Sequence, residues 1–184
     1  MNIEQKIGQL FFVGIPGPEF DDQTQGLLEE VQPGGVCLFA RNIKEAHQTR
    51  ELLDAIRKSC NQLPFLSLDQ EGGLVDRLRR VLTPMPAPST MRDPDDAARL
   101  GRMIAEAIRV LGFNMDFAPS VDLIDDGRSG RSNGIQTRTF GTTKEQVVEF
   151  SSAFLNSLEA KGSLGCIKHF PGLGASTVDS HEEL

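Results

Sequence analysis

Short apolar, β-rich runs alternate with amphipathic helical patterns along most of this chain, and that alternation limits its fold more than any other feature. LFFVGI (10–15), GVCLFA (35–40), LPFLSLD (63–69), FNMDFAP (113–119) and LGCIKHF (164–170) are each bounded by Gly, Pro, Asn or Asp. Between them, Ala97, Leu100, Ile104, Ala107, Ile108 and Leu111 recur at three- and four-residue steps and form one apolar stripe. Asp93 and Pro94 supply an N-cap and a first-turn proline for that helix. A further helix follows Thr143, which with Gln146 predicts a capping box. Its apolar face is Val147, Phe150, Phe154 and Leu158, and Lys161-Gly162 closes it. Weaker helical patterns cover 22–31 and 43–59. Continuous apolar strands separated by helices imply a parallel sheet covered by helices, because parallel strands need crossovers.

Two architectures fit this rhythm: an open doubly wound sheet, and part of a (β/α)8 barrel. SLDQEGG, DFAPSVDL and KHFPGLG all place polar groups at the C-terminal ends of their strands. Barrel enzymes collect catalytic residues there from several strands, whereas an open sheet usually carries a Gly-rich phosphate loop after its first strand. The turn after the first run is GIPGPEF, which lacks that loop. The barrel is therefore favoured. A full barrel needs eight units and about 250 residues, so residues 1–184 are expected to supply about the first five strand–helix units as one partial barrel domain.

A net charge of −7 without a basic run excludes a general nucleic-acid binder; Arg77, Arg79 and Arg80 form the largest basic group. The first residues lack a signal-peptide pattern and no apolar run could span a bilayer, so no membrane association and a cytoplasmic location are expected. Cys37, Cys60 and Cys166 are odd in number and widely spaced, which argues against a disulfide framework or a zinc site. Cys37 and Cys166 lie in apolar runs and read as small buried hydrophobes.

LDQEGGLVDRLRR sets Asp69 and Glu71 at a strand end, with Arg77 beyond a Gly-Gly turn. The carboxylates could simply cap the next segment and pair with arginines. Converging at a barrel mouth, they also suit hydroxyl recognition, since carboxylates accept from sugar OH groups and arginine donates in a fork. Arg138 lies in a polar loop and by itself reads as solvated. Lys168 and His169 end an apolar strand, where such groups are costly to bury without a ligand or carboxylate. Asp179 and His181 are two apart, so in an extended loop both can face one side. A carboxylate on one imidazole nitrogen fixes the tautomer and raises the basicity of the other, which suits a general acid/base. A surface pair, or metal ligation by His169, Asp179 and His181, is open on spacing alone.

FFVGIPGPEFD, PGGVCLFARNI, LDQEGGLVDRLR, GFNMDFAPSVDL, RTFG, KHFPGLG and DSH, in that order, resemble the N-terminal barrel of family 3 glycoside hydrolases. The resemblance is specifically to the bacterial β-N-acetylhexosaminidases of peptidoglycan recycling. It implies that Asp69, Arg77, Arg138, Lys168 and His169 hold N-acetylglucosamine in the −1 subsite. It implies that His181 is the acid/base on a mobile loop and Asp179 its partner, in a retaining hydrolysis through a covalent glycosyl-enzyme. No metal and no organic cofactor are implied. Leu173 and Leu74 stand where the family usually has histidine and arginine, and Trp and Tyr are absent as stacking platforms. The family's nucleophilic aspartate follows a later strand and has no match up to Leu184, so the chain alone is expected to lack turnover. The alternatives are a sugar-binding module without chemistry and an assembly module. Two open sheet edges and exposed strand faces predict self-association or partial disorder near 172–184.

Overall fold

The computed structural model describes residues 1–124 and 134–174. In chain order its elements are α1 (Ile3–Gly8), β1 (Phe12–Gly14), α2 (Asp22–Val31), β2 (Gly35–Leu38), α3 (Ala46–Ser59), β3 (Phe65–Leu68), the short strands β4 (Gln70–Gly72) and β5 (Val75–Asp76), a 3-10 turn (Pro88–Thr90), α4 (Pro94–Leu111), β6 (Met115–Asp116), α5 (Lys144–Ala160) and β7 (Leu164–Gly165). The main sheet runs β1-β2-β3-β6-β7, each strand parallel to its neighbour and in sequence order. Successive parallel strands joined by helices are the repeating unit of a (β/α) barrel. All five apolar runs thus become strands of one sheet.

The strands are shorter than the apolar runs. The last run, 164–170, pairs as a strand only over Leu164–Gly165, with an isolated parallel bridge from Lys168 to Ser120. Beyond Gly165 the chain stays beside the segment after β6, with the Cys166 N–H on the Asp116 carbonyl and the Lys168 N–H on the Pro119 carbonyl, and so carries Lys168 and His169 past the strand end. The DQEGG turn is itself structured: β4 and β5 form an antiparallel hairpin that the apolar pattern did not reveal, because its sequence is polar and glycine-rich. Helix α1 is likewise unanticipated, and it is held by a capping box between Asn2 and Gln5.

The α4 stripe is buried as expected at Ala97, Leu100, Ile104, Ile108 and Leu111, while Ala107 is only partly buried and Ala105 joins the core in addition; Asp93 caps the Asp96 N–H. Helix α3 begins at Ala46, not 43, since Ile43 is a buried loop residue. The capping box at Thr143 is only half made. Thr143 Oγ1 accepts the Gln146 N–H at 3.2 Å, but the Gln146 side chain accepts from the Thr142 N–H.

One face of the sheet packs under the helices through Val36, Leu38, Leu66 and Leu68, all fully buried. On the other face Phe12, Gly35 and Phe65 are aligned by register. A Cβ on Gly35 would come within 2.2 Å of the Phe12 ring, so glycine there lets Phe12 reach across β2 and stack on Phe65 at 5.9 Å. Phe12 also meets Phe117 edge-on at 5.4 Å. Phe12, Phe65, Leu164, Ile167 and Phe170 nevertheless remain exposed. Cys37 is buried on this sheet, Cys166 is half-buried rather than core, and the three cysteines are free thiols.

Helices α4 and α5 pack closely because Gly101 faces the α5 backbone. A Cβ there would lie 2.3 Å from the Phe154 carbonyl oxygen. Gly101→Ala should therefore destabilise by about 1–3 kcal/mol, although alanine favours a helix by roughly 1 kcal/mol. An unchanged or raised urea midpoint would refute this close approach.

Candidate active site

The C-terminal ends of β3, β6 and β7 meet over one cleft of about 440 Å³, lined by Asp69, Arg77, Arg138, Lys168 and His169 together with the apolar Leu74, Val75 and Phe117. Lys168 is the hub. Its Nζ lies 2.6 Å from Asp69 Oδ1 and 2.6 Å from Glu71 Oε1. Parallel pairing brings the segment after β7 beside β6, which is itself next to β3, so a cation ending one strand meets carboxylates ending another.

Glu71 is almost wholly buried and would be expensive as a lone charge. Arg138 offsets that cost with a two-pronged grip: Nε to Oε2 at 2.9 Å and Nη2 to Oε1 at 2.8 Å. Those contacts raise the Arg138 guanidinium above its ordinary value, against the effect of burial. Arg138 is thus anchored in the cleft, not a solvated loop arginine. Arg77 is held more loosely. Its Nη2 is 3.8 Å from Asp69 Oδ2, and its buried Nε has no partner among the described residues.

Asp122, in the segment after β6, supports the histidine. Its Oδ2 lies 2.6 Å from His169 Nδ1 and accepts the Ser120 hydroxyl at 3.2 Å and the His169 N–H at 3.3 Å. Its Oδ1 accepts the N–H groups of Leu173 at 2.5 Å and Gly174 at 3.2 Å. Burial pushes this carboxyl up, but the hydrogen bonds and the nearby imidazole outweigh it and bring it down to about 2. An ionised Asp122 takes the proton side of His169 Nδ1, so Nε2 is the nitrogen left to act in the cleft.

The five residues expected at a sugar site, Asp69, Arg77, Arg138, Lys168 and His169, are therefore brought together. Asp179 and His181 lie outside the described residues. Glu71 was marked by sequence, but its anchoring of Lys168 and Arg138 was not. Asp122 was missed, and the only signal for it was the polar end of DFAPSVDL. Leu74 lines the cleft at the β4–β5 turn and is exposed, while Leu173 is tied to Asp122 through its backbone N–H. Among the described residues no cluster of His, Cys, Asp and Glu is arranged to hold a metal ion, and no helix is long and apolar enough to cross a membrane.

The model of the glycosyl hydrolase family 3 N terminal domain matches residues 2–184. The chain belongs to glycosyl hydrolase family 3. A Beta-hexosaminidase of Alkalilimnicola ehrlichii is 35% identical over 181 residues, covering 94% of this chain and 51% of that protein. The Beta-hexosaminidase of Pseudomonas aeruginosa strain LESB58 is 34% identical over 171 residues, covering 91% and 50%. The chain spans about half the length of the curated relatives it matches. Among solved structures, the family 3 β-N-acetylglucosaminidase of Paenibacillus sp. FPU-7 superposes with a TM-score of 0.90 at 32% identity, covering 98% of this chain and 35% of that one. NagZ of Neisseria gonorrhoeae in complex with N-trifluoroacetyl-D-glucosamine superposes with a TM-score of 0.82 at 27% identity, covering 94% and 53%. The parallel five-stranded sheet is accordingly part of the family's N-terminal barrel domain.

Proposed function

We propose that this chain is the N-terminal part of a retaining β-N-acetylhexosaminidase that removes terminal N-acetylglucosamine from peptidoglycan fragments in the cytoplasm. The observation that carries the reading is the cleft in which Lys168 is shared between Asp69 and Glu71, beside Arg77, Arg138 and His169. A sugar presents hydroxyls that both donate and accept. Asp69 can accept from them, while Lys168, Arg77 and Arg138 can donate, and the pairs already formed hold these groups in place before the ligand arrives. The apolar Phe117, Val75 and Leu74 suit the C–H faces of the ring. Membership of the family and the sugar analogue bound to the Neisseria relative support the same substrate class.

In this reading His181, oriented by Asp179, protonates the leaving oxygen and later deprotonates the attacking water. The carboxylate pair usual in retaining glycosidases is replaced by a histidine and one aspartate nucleophile. That nucleophile has no counterpart within residues 1–184, so this chain by itself is proposed to bind but not to turn over. The purified chain should release no chromophore from an aryl β-N-acetylglucosaminide, yet give heat with N-acetylglucosamine in calorimetry. Measurable release would sink the first statement, and no heat from folded protein would sink the second. The alternative of an assembly module is favoured by the edges of β1 and β7, unpaired among the described residues, and by the exposed Phe12, Phe65 and Phe170.

A further inference from the structure

Asp116 lies beneath the cleft, outside its lining, at the end of β6 opposite Leu68 of β3. It is fully buried. Its Oδ1 accepts the peptide N–H of Gln70 at 2.9 Å, while its buried Oδ2 has no hydrogen-bond partner among the described residues. Gln70 stands between Asp69 and Glu71, the two carboxylates that share Lys168. The Gln70 side chain is gripped from the far side: Nε2 donates to Asp76 Oδ1 at 2.8 Å, and Oε1 accepts the Leu78 N–H at 3.2 Å. In an extended segment, residues two apart leave the chain on the same side. A rotation of the Gln70 unit would therefore move Asp69 and Glu71 together, away from a Lys168 that enters on another strand.

We propose that Asp116 is a positioning residue for the saccharide site, setting through the Gln70 N–H the angle at which Asp69 and Glu71 meet Lys168. Its consequence for binding rests on the saccharide reading above. Burial pushes the Asp116 carboxyl well above the usual carboxylate range; the Gln70 N–H and the Lys168 charge oppose this, and Asp69 and Glu71 add to it. Among the described residues Lys168, Asp69 and Glu71 are the charged side chains that act on it most strongly. A neutral acid at this place can hold Gln70 without competing for the ammonium of Lys168. An ionised one would add a third anion near Lys168, beside Asp69 and Glu71.

Asp116→Asn keeps the acceptor oxygen and carries no charge, whereas Asp116→Leu keeps a similar volume and removes the acceptor. In the full 184-residue chain, the Gln70 amide should exchange with deuterium at about the wild-type rate in the Asn variant. In the Leu variant it should exchange about tenfold faster, the loss expected for one hydrogen bond. The amides of Leu66, bonded to Asn114 Oδ1, and of Phe117, bonded to the Leu68 carbonyl, should move less, which separates positioning from general loosening. Affinity for N-acetylglucosamine should fall about tenfold in the Leu variant and hold in the Asn variant. A folded Leu variant with unchanged Gln70 exchange would overturn the proposal, as would unchanged affinity where the wild type binds. If the wild type binds no N-acetylglucosamine, the saccharide reading fails while the exchange rates still decide the positioning. If the Leu variant does not fold, the Asn variant decides. The infrared carbonyl band of a protonated acid should be present in wild type at neutral pH and absent in D116N, with Gln70 protection kept. A missing band in wild type, or lost protection in folded D116N, overturns the proposal.

Discussion

Lys168→Met is expected to lower the free energy of unfolding by about 3 kcal/mol, the scale found when one partner of a buried ion pair is removed. Methionine preserves much of the volume but deletes the ammonium 2.6 Å from both Asp69 Oδ1 and Glu71 Oε1. Glu71 keeps Arg138, so it does not become a fully uncompensated charge. Among the described residues Asp69 keeps only the distant Arg77, at 3.8 Å, and should turn toward solvent. Urea unfolding at neutral pH checks the magnitude. A change under about 0.5 kcal/mol, the size of an ordinary surface substitution, would mean that the ammonium is not structurally shared as described. Affinity for N-acetylglucosamine should fall as well, since the same substitution removes a donor and displaces an acceptor. Lys168→Arg is not a neutral replacement either. A planar fork cannot bring one compact charge to two carboxylates at the same distance.

Asp122→Ala should cost a similar amount, about 3–5 kcal/mol, because it strips the partner from the backbone N–H groups of His169, Leu173 and Gly174 and from the His169 ring at once. The effect has a defined pH dependence. The Asp122 carboxyl falls from an ordinary 3.8 to about 2 in the folded chain. A depressed carboxyl contributes stability that is fully present above its unfolded value and is lost as pH falls through the folded one. That contribution is on the order of 2 kcal/mol and should disappear between about pH 4 and pH 2. The stability gap between wild type and Asp122→Ala should therefore be widest near neutrality and narrow on acidification. A gap that stays constant across that window would show that Asp122 is not held ionised by these contacts. Asp122→Asn is the sharper control. It can still accept from Leu173 and Gly174 through Oδ1, but it lacks the charge that fixes the His169 tautomer, so it should recover stability better than function.

Much of this molecule is readable one residue at a time. The α4 stripe, its Asp93 cap and the five apolar runs depend on local periodicity and capping, which act over three to four residues and survive without knowledge of the rest of the chain. The misread places have a common cause. The β4–β5 hairpin has no apolar alternation to announce it, and its form depends on Gln70 being tied to Asp76 and Asp116. The Gln146 side chain accepts the backbone N–H of Thr142 rather than that of Thr143.

The sequence by itself determined the parallel strand–helix order, the family, and the residues that carry charge at the strand ends. Which of those charges meet was a matter of tertiary structure. Lys168 reaches Asp69 across 99 residues of chain and Arg138 reaches Glu71 across 67. Asp122, one unmarked carboxylate after β6, becomes the anchor of His169 only because β7 is laid beside β6. Side-chain type is a property of one position, but an ion pair needs two positions within a few ångströms, and that distance is set by the strand order and register of the whole sheet.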